Sequence, residues 1–135
     1  MKRLFLALLL TFTVVFGANA QEKKSTKVES GTQPQITFTE MEHDYGEVKK
    51  GGNGVCEFVY KNTGKAPLML TNVRSSCGCT IPSWSREPLM PGKTAIIKVK
   101  YNTNNVGPIN KTITVESNAS NPRTILKIKG KVVNN

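Results

Sequence analysis

Residues 55–62 read VCEFVYKN. In an extended chain successive side chains leave opposite faces, so Cys56, Phe58 and Tyr60 fall on one side and Val55, Glu57, Val59 and Lys61 on the other. This alternation predicts a half-buried strand, since a helix would space its apolar residues three and four apart. The same period recurs outward. Upstream, QITFTEM (35–41) puts Ile36 and Phe38 on one side. Downstream, TAIIKVKY (94–101) sets Ala95, Ile97, Val99 and Tyr101 against Ile96, Lys98 and Lys100. INKTITVES (109–117) sets Ile109, Ile113 and Val115 against Thr112, Thr114 and Glu116, and TILKIKGKV (124–132) sets Leu126 and Ile128 against Lys127 and Lys129. Between the runs lie KKGGNG (49–54), NTGKAP (62–67), MPGK (90–93), NNVGP (104–108) and SNASNP (117–122). Glycine supplies positive φ and proline ends a ladder, so these are turns. No segment keeps a helical period. About seven short strands with regular turns predict an all-β, immunoglobulin-like antiparallel β-sandwich, with a closed barrel as the other architecture.

The N-terminus reads differently. Lys2 and Arg3 precede a nearly continuous apolar run, and Ala18-Asn19-Ala20 supplies small residues at a cleavage site. This predicts a signal peptide over 1–20, with the apolar run too short for a membrane-spanning helix. Residues 21–34, QEKKSTKVESGTQP, are polar and aperiodic and are expected to form a flexible linker. Residues 35–135 then form one domain. The expected location is outside the cytoplasm, in the periplasm or at the cell surface, with no transmembrane anchor after cleavage.

The chain has 19 basic and 9 acidic residues, a formal net charge of +10. Loss of Lys2 and Arg3 lowers this to about +8. Export argues against a nucleic-acid partner. The lysines are scattered and alternate with apolar residues, as on the wet face of a sheet, with an anionic polymer or membrane surface as the second reading.

The segments HDYGEVKKG, CEFVYKNTGKAPLMLTNVRSSCGCTIPSW, LMPGKTAIIKVKYNT, GPINKTITVESNASNP and LKIKGKV follow in order over about residues 36–133. Together they resemble the DUF1573 family, a family of unknown function common in exported bacterial proteins, and more distantly the immunoglobulin-like ASH and major-sperm-protein-type domains. The resemblance implies an immunoglobulin-like sandwich and very little about activity. The family pattern carries an SCGCT element, matched here by Ser76, Cys77, Gly78, Cys79 and Thr80. A cysteine at the place of Cys56 is not part of that pattern.

Cys56, Cys77 and Cys79 are the candidate thiol or disulfide residues, and their spacing leaves several readings open. Cys77 or Cys79 would pair with Cys56, closing a loop of roughly 20 residues. Alternatively Cys77 and Cys79 bridge each other. That ring is small and strained in most backbones, which makes such a bond easy to reduce, with Arg74 and Arg86 near in sequence to favour a thiolate. Two thiolates on one side would also suit Cu(I) or Zn(II), completed by Met69, Met90 or Cys56, although one histidine and a single CxC do not make a closed zinc site. The remaining reading is two small buried thiols at a strand end.

Other chemistry is sparse. No phosphate-binding glycine loop or HExxH occurs, His43-Asp44 reads as a loop pair, and Trp84 reads as packing at the sandwich edge. The expected function is therefore a non-catalytic exported module without cofactor or metal, binding another protein or a cell-surface polymer. The alternative is an envelope thiol-redox or copper-binding protein using Cys77-Gly78-Cys79.

Overall fold

The alternating segments form strands in a computed structural model that describes residues 32–134. The signal peptide expected over 1–20 lies outside the described residues, as does residues 21–31 of the expected linker. Eight strands follow one another: β1 (Ile36–Phe38), β2 (Glu42–Lys49), β3 (Val55–Asn62), β4 (Leu70–Ser75), β5 (Thr80–Ser83), β6 (Thr94–Tyr101), β7 (Gly107–Ser117) and β8 (Arg123–Val133). They build two four-stranded sheets, in the orders β1-β3-β6-β5 and β2-β8-β7-β4. This is the immunoglobulin-like sandwich the alternation predicts. No described helix is long and apolar enough to cross a membrane.

Strand β3 buries every second residue: Cys56, Phe58, Tyr60 and Asn62 face in. Ile97 and Val99 of β6 lie opposite Phe58 and Cys56 in the same sheet. Ile113 and Val115 of β7 and Leu126, Ile128 and Val132 of β8 complete the core from the other sheet. Each such side chain contributes about 1.5–3 kcal/mol on burial, which is why these four strands define the fold.

Two features depart from the simple alternation. The run QITFTEM does not form one strand: β1 stops at Phe38, and β2 starts at Glu42 in the second sheet. There β2 runs parallel to β8, whereas the other pairings are antiparallel. It is an edge strand with half-buried His43 and Tyr45 facing inward and no strongly apolar face. Its outward Glu42 and Asp44 stand in register with Lys127 and Lys129. Glu42 ion-pairs with both lysines, which holds its carboxyl below the usual range. Strand β5 is the other short addition, and its Pro82 fits the edge position because proline has no N–H for a second neighbour.

One end of the sandwich is closed by asparagines. Asn62 is fully buried at the end of β3. Its amide donates to the carbonyls of Ala66 (2.7 Å) and Leu89 (2.9 Å), and its oxygen accepts from the N–H groups of Gly64 (3.0 Å) and Gln35 (3.4 Å). Asn121 accepts from the Ile36 N–H and donates to the Ile36 carbonyl. Asn118 does the same for Met69 N–H and Pro67 C=O. Gln33 and Pro34, the last residues of the expected linker, are bound here too, accepting from the N–H groups of Lys65 and Ser120. Gly64 is required by this packing, since a Cβ would overlap the Gln33 carbonyl oxygen.

A disulfide and cleft at the open end

At the other end the chain passes between the sheets. Strand β4 belongs to the second sheet and β5 to the first, so residues 76–79 make the crossing. Ser76 is still held to β7, its N–H donating to Thr112 C=O (2.9 Å) and its hydroxyl accepting from Thr112 N–H (3.2 Å). Cys77 and Cys79 follow and are disulfide-bonded to each other, with their Cα atoms 5.3 Å apart. The alternative bridge to Cys56 is not formed. Cys56 is a free, buried thiol near the start of β3. Burial pushes its pKa up, only partly opposed by the Tyr45 hydroxyl, so it stays a neutral apolar filler.

The surroundings of the bridge are specific. The Cys77 N–H donates to Ser75 Oγ (3.3 Å), and the Cys79 N–H points at Cys77 Sγ (3.3 Å). Thr80 is only 3 % exposed, and its hydroxyl lies 3.7 Å from Cys77 Sγ and 3.8 Å from Cys79 Sγ. The arginines expected to serve the sulfurs are engaged elsewhere. Arg74 pairs with Glu116 at 3.3 Å, and the Arg86 guanidinium sits 5.2 Å from the Trp84 ring centre. As a staple the bridge is weak: closing a three-residue loop stabilises by about 1.6 kcal/mol on the chain-entropy estimate, against about 3 kcal/mol for fifteen residues.

Cys79 opens onto a cleft of about 600 Å³. Its walls are the β2–β3 turn (51–54), the end of β6 with the segment after it (100–104), and the Gly78-Cys79 crossing, with Val55 and Ile81 on its apolar side. Lys100 is the one charged residue in this lining. The turn wall is fixed from behind: the hydroxyls of Tyr45 and Thr103 donate to Gly54 C=O and Gly52 C=O, both at 2.7 Å. The Tyr101 N–H also donates to Gly54 C=O (2.8 Å), and a Cβ on Gly54 would overlap the Tyr101 carbonyl oxygen. Burial pushes the Tyr45 hydroxyl far above its ordinary pKa, so it remains a donor. Sequence reasoning found Cys77, Gly78, Cys79 and Thr80 but missed the cleft, because GGNG reads only as a turn.

The other candidates separate. His43 packs edge-on against Tyr45 at 4.6 Å, while Asp44 accepts from Gly46 N–H and lies by Lys129, so the two form no catalytic pair. Trp84 is half-buried against the core, as expected for the sandwich edge, and its indole N–H is buried without a hydrogen-bond partner among the described residues. Met69 and Met90 are exposed, and no three His, Cys, Asp or Glu side chains cluster among the described residues.

The fold recurs in solved structures. A Porphyromonas gingivalis protein of unknown function superposes with a TM-score of 0.68 at 16 % identity, over 80 % of this chain and 51 % of its own. The chain thus spans about half of that relative. A PapD-like domain of human CEP192, an ASH domain, gives a TM-score of 0.63 at 9 % identity over 96 % and 99 %. The secreted serine protease VesC of Vibrio cholerae gives 0.55 at 14 % identity over 73 % of this chain and 23 % of the protease. No curated protein matches the sequence. The model of a protein family described as "Protein of unknown function (DUF1573)" matches residues 36–132, and the chain belongs to that family.

Proposed function

We propose that the protein is an exported, non-catalytic immunoglobulin-like module that binds another protein or a cell-surface polymer through the outer face of its first sheet. The carrying observation is the difference between the two outer faces. On the first sheet, Val55, Lys100 and Ile81 stand in register across β3, β6 and β5, and Val59 stands opposite Ile96. These four apolar side chains are exposed, Ile81 by 65 %. The row between them carries Glu57 and Lys98, an exposed ion pair at 3.9 Å. On the strands of the second sheet Ile125 is the one exposed large apolar side chain among the described residues, and its outer rows carry charge, with Glu42 and Asp44 beside Lys127 and Lys129 and Glu116 paired with Arg74. Exposed apolar rows flanked by charge suit a docking face better than a paired, wet one. Export rests on the signal-like residues 1–20, and the net positive charge favours an anionic partner.

A photo-crosslinking residue placed at Ile96 in the native cell, with Thr114 of the second sheet as control, tests this. Labelling of one discrete envelope component from position 96 and not from 114, lost in an Ile81→Asp variant that still folds, is expected. Equal labelling from both positions, or none from 96, refutes the proposal.

A further inference from the structure

The bridge and the cleft meet in one place, and they meet asymmetrically. Cys79 lines the cleft and Cys77 does not. Cys77 Sγ accepts from the Cys79 backbone N–H at 3.3 Å, whereas the buried Thr80 hydroxyl lies near both sulfurs, 3.7 Å from Cys77 Sγ and 3.8 Å from Cys79 Sγ, so the asymmetry comes from the backbone N–H and the cleft. Gly78 between them has neither a positive φ nor a close neighbour: a Cβ there would meet nothing within 4 Å. Nothing in the chain's own conformation or packing therefore requires glycine at 78, and the bare backbone leaves the approach to the bridge open. The cleft has the volume of a small-molecule site, and its one charge is the Lys100 cation.

We propose that the Cys77–Cys79 bridge is a thiol-exchange site whose point of attack is Cys79 and whose co-substrate is a small anionic thiol held in the cleft. The thiolate RS⁻ attacks Cys79 Sγ from the cleft, near Lys100. The Cys77–Cys79 bond breaks, and its electron pair leaves on Cys77 Sγ, where the Cys79 N–H and the Thr80 hydroxyl receive the charge. The product is a mixed disulfide, RS–S on Cys79, beside a Cys77 thiolate. A second RS⁻ attacks the outer sulfur, releasing RSSR and a Cys79 thiolate. In balance, two RSH are oxidised to RSSR and the protein disulfide is reduced to two thiols. The direction of cleavage follows from leaving-group stabilisation, because the sulfur whose thiolate is better stabilised departs faster. The cleft shares Val55, Ile81 and Lys100 with the proposed docking face, but the position of the thiol adduct reads the bridge alone, so this inference and the docking reading fail separately.

The purified mature protein is mixed with excess 3-mercaptopropionate and, separately, with cysteamine, a cationic thiol of similar size. Acid quenching and peptide mapping identify the first adduct, and rates are normalised to the thiolate present. The expected first adduct is on Cys79 with Cys77 alkylatable, and 3-mercaptopropionate reacts several-fold faster than cysteamine, a preference that Lys100→Ala removes. Thr80→Val slows opening about tenfold, while Thr80→Ser restores it. An adduct on Cys77, a bridge that stays closed in millimolar thiol, or a folded Thr80→Val protein that opens at the wild-type rate overturns the assignment. Should Thr80→Val fail to fold, the position of the adduct on the wild-type chain still decides.

Discussion

The two ends of the sandwich are built by opposite means. At one end, three asparagines satisfy the backbone of three separate segments, and Asn62 alone makes four hydrogen bonds from a fully buried position. At the other end, glycines and short polar side chains surround a cleft of about 600 Å³, and the closure is a covalent bond spanning three residues. A buried amide with every donor and acceptor paired is costly to disturb, whereas a three-residue disulfide can open with little loss of stability. The contrast separates a region that specifies the structure from a region free to react or bind.

Four measurements break or sharpen that contrast. The largest effect is expected at the asparagine end. Asn62→Ala leaves the Ala66 and Leu89 carbonyls and the Gly64 and Gln35 N–H groups without their partner, and urea unfolding should show a loss of about 3–5 kcal/mol. A loss below about 1 kcal/mol would mean that the closed end is not what holds the sheets together. Tyr45→Phe at the open end removes one buried hydroxyl and its bond to Gly54 C=O, for an expected loss of about 1–2 kcal/mol in the same assay.

Next comes the bridge. The double variant Cys77→Ser, Cys79→Ser should lose about 1.6 kcal/mol, the chain entropy of its small loop, and should refold to the same circular dichroism spectrum. A loss as large as that of Asn62→Ala would make the bridge structural and erase the difference between the ends. The smallest effect vanishes at neutral pH. Cys56, Tyr45 and Tyr60 all have pKa values raised by burial in the folded chain. The unfolded chain therefore loses protons first. The stabilisation from holding these groups neutral is fully present below the unfolded values, about 8.5 for the thiol and about 10 for the phenols, and falls as pH rises past them. The melting temperature should decline from about pH 8.5 upward, and Cys56→Ala should delay the onset to about pH 10. An unchanged onset in that variant would show that the thiol ionises as freely folded as unfolded.

The central strands were legible because they answer to one rule. Phe58, Val99, Ile113 and Leu126 each lie on the apolar side of an alternation, and each is buried. Strand β2 escaped that rule. Glu42 and Asp44 make sense only opposite Lys127 and Lys129, partners that local periodicity does not see. The candidate site was half legible. The SCGCT element located the cysteines, but spacing alone admitted a bridge to Cys56, a bridge within the pair, a metal site or plain packing. Choosing among them requires knowing that Cys56 faces the core beside Tyr45, while Cys77 and Cys79 share the crossing between sheets. The cleft was invisible because it is assembled from three segments whose only local signal is a turn.

The parallel pairing of β2 with β8 has a kinetic consequence. Its first register pair, Glu42 with Lys127, joins residues 85 positions apart. Strand β2 emerges early in synthesis, yet the ladder that satisfies its backbone is the one made by β8, the final strand of the fold. Loop-closure entropy makes such distant pairing slow, and mixed topologies dominated by non-local contacts fold in milliseconds to seconds. The antiparallel β7–β8 hairpin, joined by a short turn, is expected to form first and to offer its outer edge to β2 as the closing step. Until then β2 is an unpaired edge in a partly folded chain, open to pairing with a second copy. Its outward carboxylates guard against that. Two copies of β2 paired parallel and in register would set Glu42 and Asp44 against like charges, whereas the β8 ladder presents Lys127 and Lys129.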